Sequence, residues 1–494
     1  MILEQLIHSW VLPLCSWIAD CCVCCKSDNE NTNTTSYSNI GNATLDSNDE
    51  NTTSNCNDET ASSKFKKCLI LFGTSVEATS CLLAFAVLIT VICGQIVYLD
   101  QLTTDRCAGT EHLLTNYSAP TSVLSARAAG ESFEVFFLNL WFPFTMVLLL
   151  GWKKAKNIHI SNLVICFMTG IIAVIYKVCL YIIFDGDITG WWKRSISTGI
   201  MLIGIIISIC RIASYQAPSE VNTTRIKMLL TIGLIFCFAA LFANVYRLVL
   251  VPWFNNQSSD FLKILVAAMA SLIATIPVAI SNYIVLVPLK NIIDVSRSYI
   301  LAYFNHVIPI ALYRVMQSDV KHFGYFILFS FLQGLIDNVT KLTRNCRSYL
   351  FKRLIKCLNI TPVPYCEKHN RRLEAHIYIQ EVLFQFEMLI LAQLYTIFYR
   401  MDTFQSYSFD GSSLLRLFVG LLMEFIFACL STRNLIWQEG TKIKLILKKH
   451  WICHVLANGL VTMTTVLYFS PVIINIYKFR FATADDVKDL QHCN

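Results

Sequence analysis

Long apolar segments recur along this chain, and they constrain its fold more than any other feature of the sequence. An α-helix rises about 1.5 Å per residue, so about 20 apolar residues cross the hydrocarbon core of a bilayer. Such segments lie at residues 77–98, 133–152, 159–184, 196–214, 226–253, 261–289, 299–316, 322–336, 375–399, 413–430 and 450–477. The segments at 299–316 and 322–336 are less apolar or shorter than the others. We therefore predict an all-α, polytopic integral membrane helix bundle with about 11 (9–11) transmembrane helices.

The composition agrees with a membrane protein. Hydrophobic residues make up 55% and charged residues 15% of the 494 residues, whereas soluble domains carry about 25% charged residues. The net charge of +7 does not indicate nucleic acid, because Lys and Arg lie mostly beside apolar segments, where they set helix orientation. The expected partners are membrane lipids and a small solute or ion, with no nucleic acid.

The segments between the apolar runs suggest how the chain is organised. Residues 27–67 are rich in Asn, Thr and Ser and cannot bury enough apolar surface to fold. The predicted parts are an interfacial N-terminal segment (1–26), a disordered cytosolic segment (27–67), the first part of the bundle (68–336), a basic cytosolic connector (337–373), the last three spans (374–478) and a short tail (479–494).

Lys and Arg in the short loops predict the orientation of the chain, because they concentrate on the cytosolic side. The N-terminus is predicted to be cytosolic and the C-terminus outside or lumenal, in the plasma membrane or an endomembrane. The sequons at Asn116 and Asn256 then lie on the outer side, and we predict glycans there. Those at Asn33, Asn42 and Asn51 lie in the cytosol and are predicted to be unmodified.

Four cysteines follow the apolar first 20 residues. That stretch has neither a basic start nor a small-residue cleavage site, so we predict an interfacial helix and not a signal peptide. Cysteines beside a membrane-lying helix are typical S-acylation sites. We predict acylation at Cys21, Cys22, Cys24 and Cys25. A metal site is the alternative, but no histidine or second cysteine pair lies nearby.

One apolar segment, residues 371–400, also carries carboxylates. It contains Glu381 and, near its centre, Glu387. The next apolar segment carries Glu424 near its middle. Charged side chains are costly in hydrocarbon and usually mark a function. Consecutive helices joined by a short loop pack as antiparallel neighbours, so we predict that Glu387 and Glu424 lie near the bilayer midplane and face each other.

The polar residues of this segment share one side of the predicted helix. His376, Gln380 and Glu387 fall within about 40° of one another at 3.6 residues per turn. Glu381 and Gln385 form a second row beside them. The opposite side is apolar, so the polar side must face protein, water or a solute.

Two interpretations of this polar stripe stay open. In the first, the stripe lines a solute or proton pathway; its candidate residues are Glu387, Glu424, Gln380, Glu381, His376 and His306. In the second, it is a buried network that fixes helix packing, with Glu387 protonated or paired with Lys177 or Arg247. Other basic residues lie near span ends, and their side chains are predicted to reach the headgroups; these are Arg211, Arg247, Lys263, Arg314 and Arg416.

A secondary transporter or channel is the function that the midplane carboxylates favour. A membrane receptor that binds a partner through the basic connector is an alternative. A lipid-handling, scramblase-like protein is another, because a polar groove open to lipid would use the same stripe. Asp185 and Asp187 in a predicted outer loop resemble the acidic pair of membrane-embedded glycosyltransferases, which adds an enzyme to the alternatives.

No cofactor or catalytic motif is evident in the sequence. It has no phosphate-binding Gly loop with Lys, no nucleophile elbow and no kinase motif, which disfavours an ATP-driven pump. His450, Cys453 and His454 share one helix face at a spacing used for metals, but the missing Glu excludes a zincin site. We predict an interfacial cluster beside Lys448 and Lys449, and no catalytic, cofactor-binding or metal residue.

Overall fold

The computed structural model describes residues 61–104, 121–151, 156–183, 191–216, 222–257, 259–286, 293, 295–320, 322–342, 367–403, 411–439 and 443–481. Within these ranges the regular structure is helical, without strands. The α-helices are α1 (Ala61–Thr104), α2 (Thr121–Leu150), α3 (Lys156–Ile183), α4 (Trp191–Gln216), α5 (Asn222–Val245), α6 (Val251–Asn255), α7 (Asp260–Leu286), α8 (Val295–Asp319), α9 (Phe323–Leu342), α10 (Glu367–Thr403), α11 (Gly411–Glu439) and α12 (Ile443–Phe481). The prediction of an all-α membrane helix bundle is confirmed.

Seven of the described helices are long and apolar enough to cross a membrane. Their apolar stretches are Leu69–Leu99, Ala128–Leu150, Lys156–Tyr181, Ile196–Ser214, Arg371–Phe398, Gly411–Trp437 and Ile443–Phe469. Large apolar side chains on these helices point away from the protein, among them Ile175, Ile206 and Phe418. Because surfaces of this kind are favourable only in lipid, the chain is an integral membrane protein.

The other four predicted segments are helical as well. Segment 226–253 comprises α5, a π-helical turn at Tyr246–Leu250 and α6. Segments 261–289, 299–316 and 322–336 correspond to α7, α8 and α9. Helix α8 is the most polar of these, and it is buried along almost its whole length. A helix enclosed by other helices can carry polar groups that lipid would exclude.

The chain divides into two compact units, Met1–Thr74 and Ser75–Asn494. The described part of the first unit is the start of α1, in which the Thr74 hydroxyl donates to the Leu71 carbonyl at 2.9 Å. The packing of helices α2 to α12 lies within the second unit.

Helices α8 and α10 form the centre of the second unit. Helix α8 packs against α10, and also against α2, α5, α7, α9 and α12. Helix α10 packs against α8, α11 and α12. Large side chains fill the space between them, and Tyr299, Tyr303, Phe384 and Tyr395 are fully buried. The polar stripe of α10 therefore lies among other helices.

Prolines inside the spans do not end the helices. Helix α7 continues past Pro277 and α8 continues past Pro309. Neighbouring groups in membrane helices can satisfy the carbonyl that proline leaves without a donor. The π-helical turn at Tyr246–Leu250 directly precedes Pro252, whose missing N–H interrupts the regular hydrogen-bond pattern.

Two predicted boundaries differ from the helix ends. Helix α1 already begins at Ala61, inside the segment 27–67. Helix α9 continues to Leu342 and α10 begins at Glu367, so the connector 337–373 is helical at both ends. A helix can extend beyond the hydrocarbon because its backbone groups remain bonded within the helix. Residues 1–60, with the four clustered cysteines, and Asn116 lie outside the described residues.

Candidate functional site

Glu387 lies in the middle of α10 and is fully buried. The Asn458 side-chain amide donates to Oε1 at 2.5 Å, and the Thr462 hydroxyl donates to Oε2 at 2.5 Å. Among the described residues no Lys, Arg or His forms an ion pair with this carboxyl group. Its surroundings consist of neutral hydrogen-bonding groups and apolar side chains.

The partners of His376, Gln380 and Glu387 lie on α12. His454, Asn458 and Thr462 follow one another at intervals of four residues, so they share one face of that helix. This face packs against α10 and meets His376, Gln380 and Glu387 along its length. The polar side of α10 is thus turned toward protein. We call these six residues the Glu387 seam.

Tyr303 of α8 connects the two halves of the Glu387 seam. Its hydroxyl lies 2.9 Å from the Gln380 carbonyl oxygen and 3.0 Å from Oδ1 of Asn458. A single O–H thus has two acceptors, one on each of the facing helices. The Asn458 amide, in turn, accepts from Tyr303 and donates to Glu387, which fixes its orientation.

Three histidines, His376, His450 and His454, form a cluster at the other end of the Glu387 seam. Nδ1 of His376 lies 3.0 Å from Nε2 of His454. The His376 and His450 rings meet edge to face at 5.4 Å, and Tyr299 stacks on both His376 and His454. Within the described residues no group of three or more His, Cys, Asp or Glu has the arrangement of a metal site.

His450, Cys453 and His454 were predicted to form an interfacial cluster beside Lys448 and Lys449, but the structure separates these lysines from His454. His454 is fully buried, while Lys448 and Lys449 point to the exposed side of α12. The reason lies in the helix period, because residues 448 and 449 fall on the opposite side from residue 454. His450, one turn before His454, is half-buried.

Glu424 of α11 has a different environment from Glu387. It pairs with the guanidinium of Arg314 on α8, and both side chains are buried. Arg314 also donates to Oε1 of Gln317 at 3.0 Å, and the Gln317 amide donates to the Ser330 hydroxyl at 2.5 Å. We call Arg314, Gln317, Ser330 and Glu424 the Glu424 seam. The two carboxylates therefore have separate partners and do not pair with each other.

Arg314 and Arg416 were predicted to reach the headgroups, and this prediction is wrong. Arg314 is 1% exposed. Arg416 is buried too and donates to the Val320 carbonyl at 2.5 Å. Both side chains are enclosed because α8 and its surroundings lie inside the bundle, where an inward-facing side chain meets other helices before it can reach water. Arg211, by contrast, is exposed.

The second polar row of α10 also meets protein. Glu381 lies 2.5 Å from Nδ1 of His306, so the structure brings these two predicted site residues together. The Gln385 amide donates to Asp337 of α9 at 2.7 Å, and Gln333 donates to the same carboxyl group at 3.1 Å. Sequence reasoning missed Asp337 by assigning it to the connector. Its spacing of four residues from Gln333 could have revealed a shared helix face.

Lys177 is paired with Glu131 at 2.6 Å, and the Tyr181 hydroxyl donates to Glu131 at 2.8 Å. Lys177 is therefore not a partner of Glu387. The predicted glycosylation site Asn256 lies directly after α6 and is exposed. Its modification stays a prediction.

The fold and this site define an all-α integral membrane protein with buried, hydrogen-bonded polar seams among its central helices. Comparison of the chain with protein-family models, with curated proteins and with solved structures finds no match.

Proposed function

We propose that this protein is a proton-coupled secondary transporter of a small solute or ion, with Glu387 as the group that gains and loses the proton. The observation that carries the proposal is the pair of neutral groups around Glu387. An isolated buried carboxylate is costly, and such groups tend to take up a proton. Intramembrane carboxyl groups in transporters commonly serve as proton carriers.

The two partners of Glu387 suit both of its protonation states. In the ionised state, Asn458 donates to Oε1 and Thr462 donates to Oε2. A proton arriving at Oε2 makes that oxygen a donor. The Thr462 hydroxyl can then accept it, and its own hydrogen can turn to the carbonyl of residue 458, one turn earlier in the helix. No heavy atom has to move, so neither state leaves a buried polar group without a partner.

Glu424 is not suited to this role. It forms a buried ion pair with the guanidinium of Arg314, and a carboxylate bound in this way cannot exchange a proton without breaking the pair. We therefore assign Glu424 to helix packing and Glu387 to proton exchange. The pathway interpretation then applies to the Glu387 seam, and the scaffold interpretation applies to the Glu424 seam.

The lipid-handling alternative requires a polar surface open to lipid. His376, Gln380, Gln385 and Glu387 are all buried by neighbouring helices. Such an enclosed stripe suits a small solute or ion better than a lipid headgroup whose acyl chains must stay in the bilayer. Asp185 and Asp187, on which the glycosyltransferase alternative rests, and residues 343–366 of the connector, on which the receptor alternative rests, lie outside the described residues.

The proposal can be tested without knowing the solute. Liposomes containing the full chain are adsorbed to a solid-supported membrane, and the pH outside is lowered in one step. Proton uptake at a buried carboxyl group moves charge within the membrane and produces a transient current. We expect a transient for the wild type and its loss in E387Q, since glutamine cannot take up the proton.

The matched control is E77Q. Glu77 pairs with Lys444 at 2.6 Å, and both side chains are more than half exposed. This variant makes the same chemical change away from the seams and should keep the transient. A transient of wild-type size in folded E387Q would contradict the proposal. Amino acids, organic acids and monovalent cations can then be added to the same supported membranes, in a screen for steady currents that require Glu387.

A further inference from the structure

We infer that Gln380 is a positioning residue that selects which nitrogen of His454 carries hydrogen and thereby controls proton exchange within the histidine cluster. The inference rests on the proposed function, because the cluster belongs to the same seam as Glu387. It assigns to Gln380 a specific action on a neighbouring ring in place of general packing.

The side-chain amide of Gln380 contacts His454 twice. Its Nε2 lies 2.6 Å from Nδ1 of His454 and 3.0 Å from the His454 carbonyl oxygen. A carbonyl oxygen accepts only from a donor, so this contact requires the NH₂ group at that position. The second N–H of the same group then points to Nδ1, which must be the unprotonated nitrogen of the ring.

This contact determines the direction of the next hydrogen bond. With Nδ1 of His454 as acceptor, the neutral ring carries its hydrogen on Nε2. That nitrogen lies 3.0 Å from Nδ1 of His376, which therefore accepts. In this arrangement His376 cannot pass a proton to His454, because the facing nitrogen already holds one. The histidine pair is closed to proton transfer.

The amide oxygen of Gln380 indicates how proton transfer between His376 and His454 could become possible. Oε1 of Gln380 is buried and has no hydrogen-bond partner among the described residues. A half-turn of the amide would place this oxygen against Nδ1 of His454. Nδ1 would then carry the hydrogen, and Nε2 would become free to accept a proton from Nδ1 of His376. The rotation gives up the bond to the His454 carbonyl, which keeps the closed arrangement favoured.

On α1, Phe85 stacks on Trp451 and Ile89 faces Gly459, so these two side chains offer no hydrogen-bonding group. Titratable groups lie on the other helices around His454. They include His376 on α10 and Tyr299 on α8, which contact the His454 ring, and His450 and Cys453 on α12 itself. Glu381 of α10 pairs with His306 instead.

Solid-state NMR of the full chain in lipid bilayers, labelled with ¹⁵N-histidine, tests the assignment directly. Imidazole nitrogens with and without hydrogen have well-separated ¹⁵N shifts, and the His454 signals are identified by their loss in H454N. In the wild type we expect His454 to carry hydrogen on Nε2 only. In Q380E the oxygen that replaces Nε2 carries at most one hydrogen, so it cannot donate to both the His454 carbonyl and Nδ1. We expect the carbonyl to keep the donor and Nδ1 of His454 to gain a hydrogen.

The matched control is Q393E, which adds the same charge at another buried glutamine of α10 and should leave the His454 signals unchanged. If Q380E does not fold, Q380M removes the donor without adding charge, and both tautomers should then appear. Hydrogen on Nδ1 of His454 in the wild type, or unchanged signals in Q380E or Q380M, would overturn the inference. Absence of a pH-step current in the wild type would instead refute the proposed function, and the spectra would still report on Gln380.

Discussion

Glu387 and Glu424 lie on successive helices of the same bundle, and both are buried, yet their surroundings are opposite in kind. Glu424 has the guanidinium of Arg314, which is bonded in turn to Gln317. Glu387 has a side-chain amide and a hydroxyl. A buried carboxylate beside a permanent cation is held in one charge state, whereas one beside neutral groups that can donate or accept is able to change its state.

The comparison shows why a carboxylate in a membrane helix does not by itself reveal a function. The sequence contexts of the two residues are alike, since each lies near the middle of an apolar segment. What separates them is the facing helix. Helix α8 presents Arg314 to Glu424, while α12 presents Asn458 and Thr462 to Glu387.

The largest effect on stability is expected at the Glu424 seam. E424Q leaves the buried Arg314 without its counter-charge, and losing one member of a buried pair costs about 3–5 kcal/mol. E387Q keeps neutral partners, since glutamine can accept from Asn458 and donate to Thr462, so its cost should stay under about 1.5 kcal/mol. Thermal melting of both variants in one detergent measures the difference. Equal melting temperatures would remove the distinction between the seams.

A double variant tests whether the cost of E424Q comes from the unpaired charge of Arg314. R314M together with E424Q removes the charge from both sides of the pair, and neutral replacements of a buried pair are often tolerated. The double variant should therefore melt at a higher temperature than E424Q alone. A lower value would indicate that Arg314 stabilises the bundle through contacts other than Glu424.

Packing around the two seams provides the next comparison. A Cβ atom on Gly334 of α9 would overlap the Phe427 ring of α11, so the ring or one of the two helices must shift in G334A. Overpacking of this kind costs about 1–3 kcal/mol. On Gly459 of α12 the added atom would lie 3.6 Å from Ile89, an ordinary contact, and alanine is favoured over glycine in a helix by about 1 kcal/mol.

Melting temperatures of G334A and G459A measure this difference. We expect a clear decrease for G334A and an unchanged or higher value for G459A. A decrease of similar size in both variants would show that the α1–α12 contact is as tight as the α9–α11 contact.

A smaller effect is expected at Thr462. T462V keeps the shape of the side chain but removes the hydroxyl that serves Glu387, at a cost of about 1 kcal/mol. The pH-step current should decrease, because the protonated carboxyl group loses its acceptor. T462S restores a hydroxyl and should recover the current. If T462V gives a current of wild-type size, the hydroxyl is not the group that exchanges roles with Glu387.

The smallest effect is expected outside both seams. Lys444 pairs with Glu77 at 2.6 Å, but both side chains are largely exposed. Exposed pairs contribute about 0–1 kcal/mol, so K444A should melt close to the wild type. A decrease as large as that of E424Q would mean that this pair is less exposed in lipid than in the structure, and E77Q would then no longer serve as a control.

Helix periodicity alone locates part of the site. The intervals between His376, Gln380 and Glu387 place them on one side of a helix, and the structure turns that side toward α12. Glu381 and His306, which the sequence placed in different spans, are in contact at 2.5 Å. The partners on α12 were not predicted, because Asn and Thr are common in membrane helices and their spacing of four residues acquires meaning only opposite Glu387.

The placement of Arg314 and Asp337 shows the limit of such reasoning. Arg314 lies close to the end of its segment, so in an isolated helix its side chain could reach the lipid headgroups. Asp337 follows an apolar segment that is short for a span, so it was assigned to the connector. In the bundle, α8 is surrounded by other helices and α9 continues through Asp337, and both side chains find partners inside.

The membrane setting, the helical class, the positions of the helices and the polar side of α10 could all be read from the amino-acid sequence. These follow from length, hydropathy and helix period, which are properties of single segments. The packed bundle was needed to show which carboxylate meets a cation, which meets neutral groups, and that His454 is buried against Gln380. These properties depend on which helices face each other, and a local pattern of apolar and polar residues is compatible with many such arrangements.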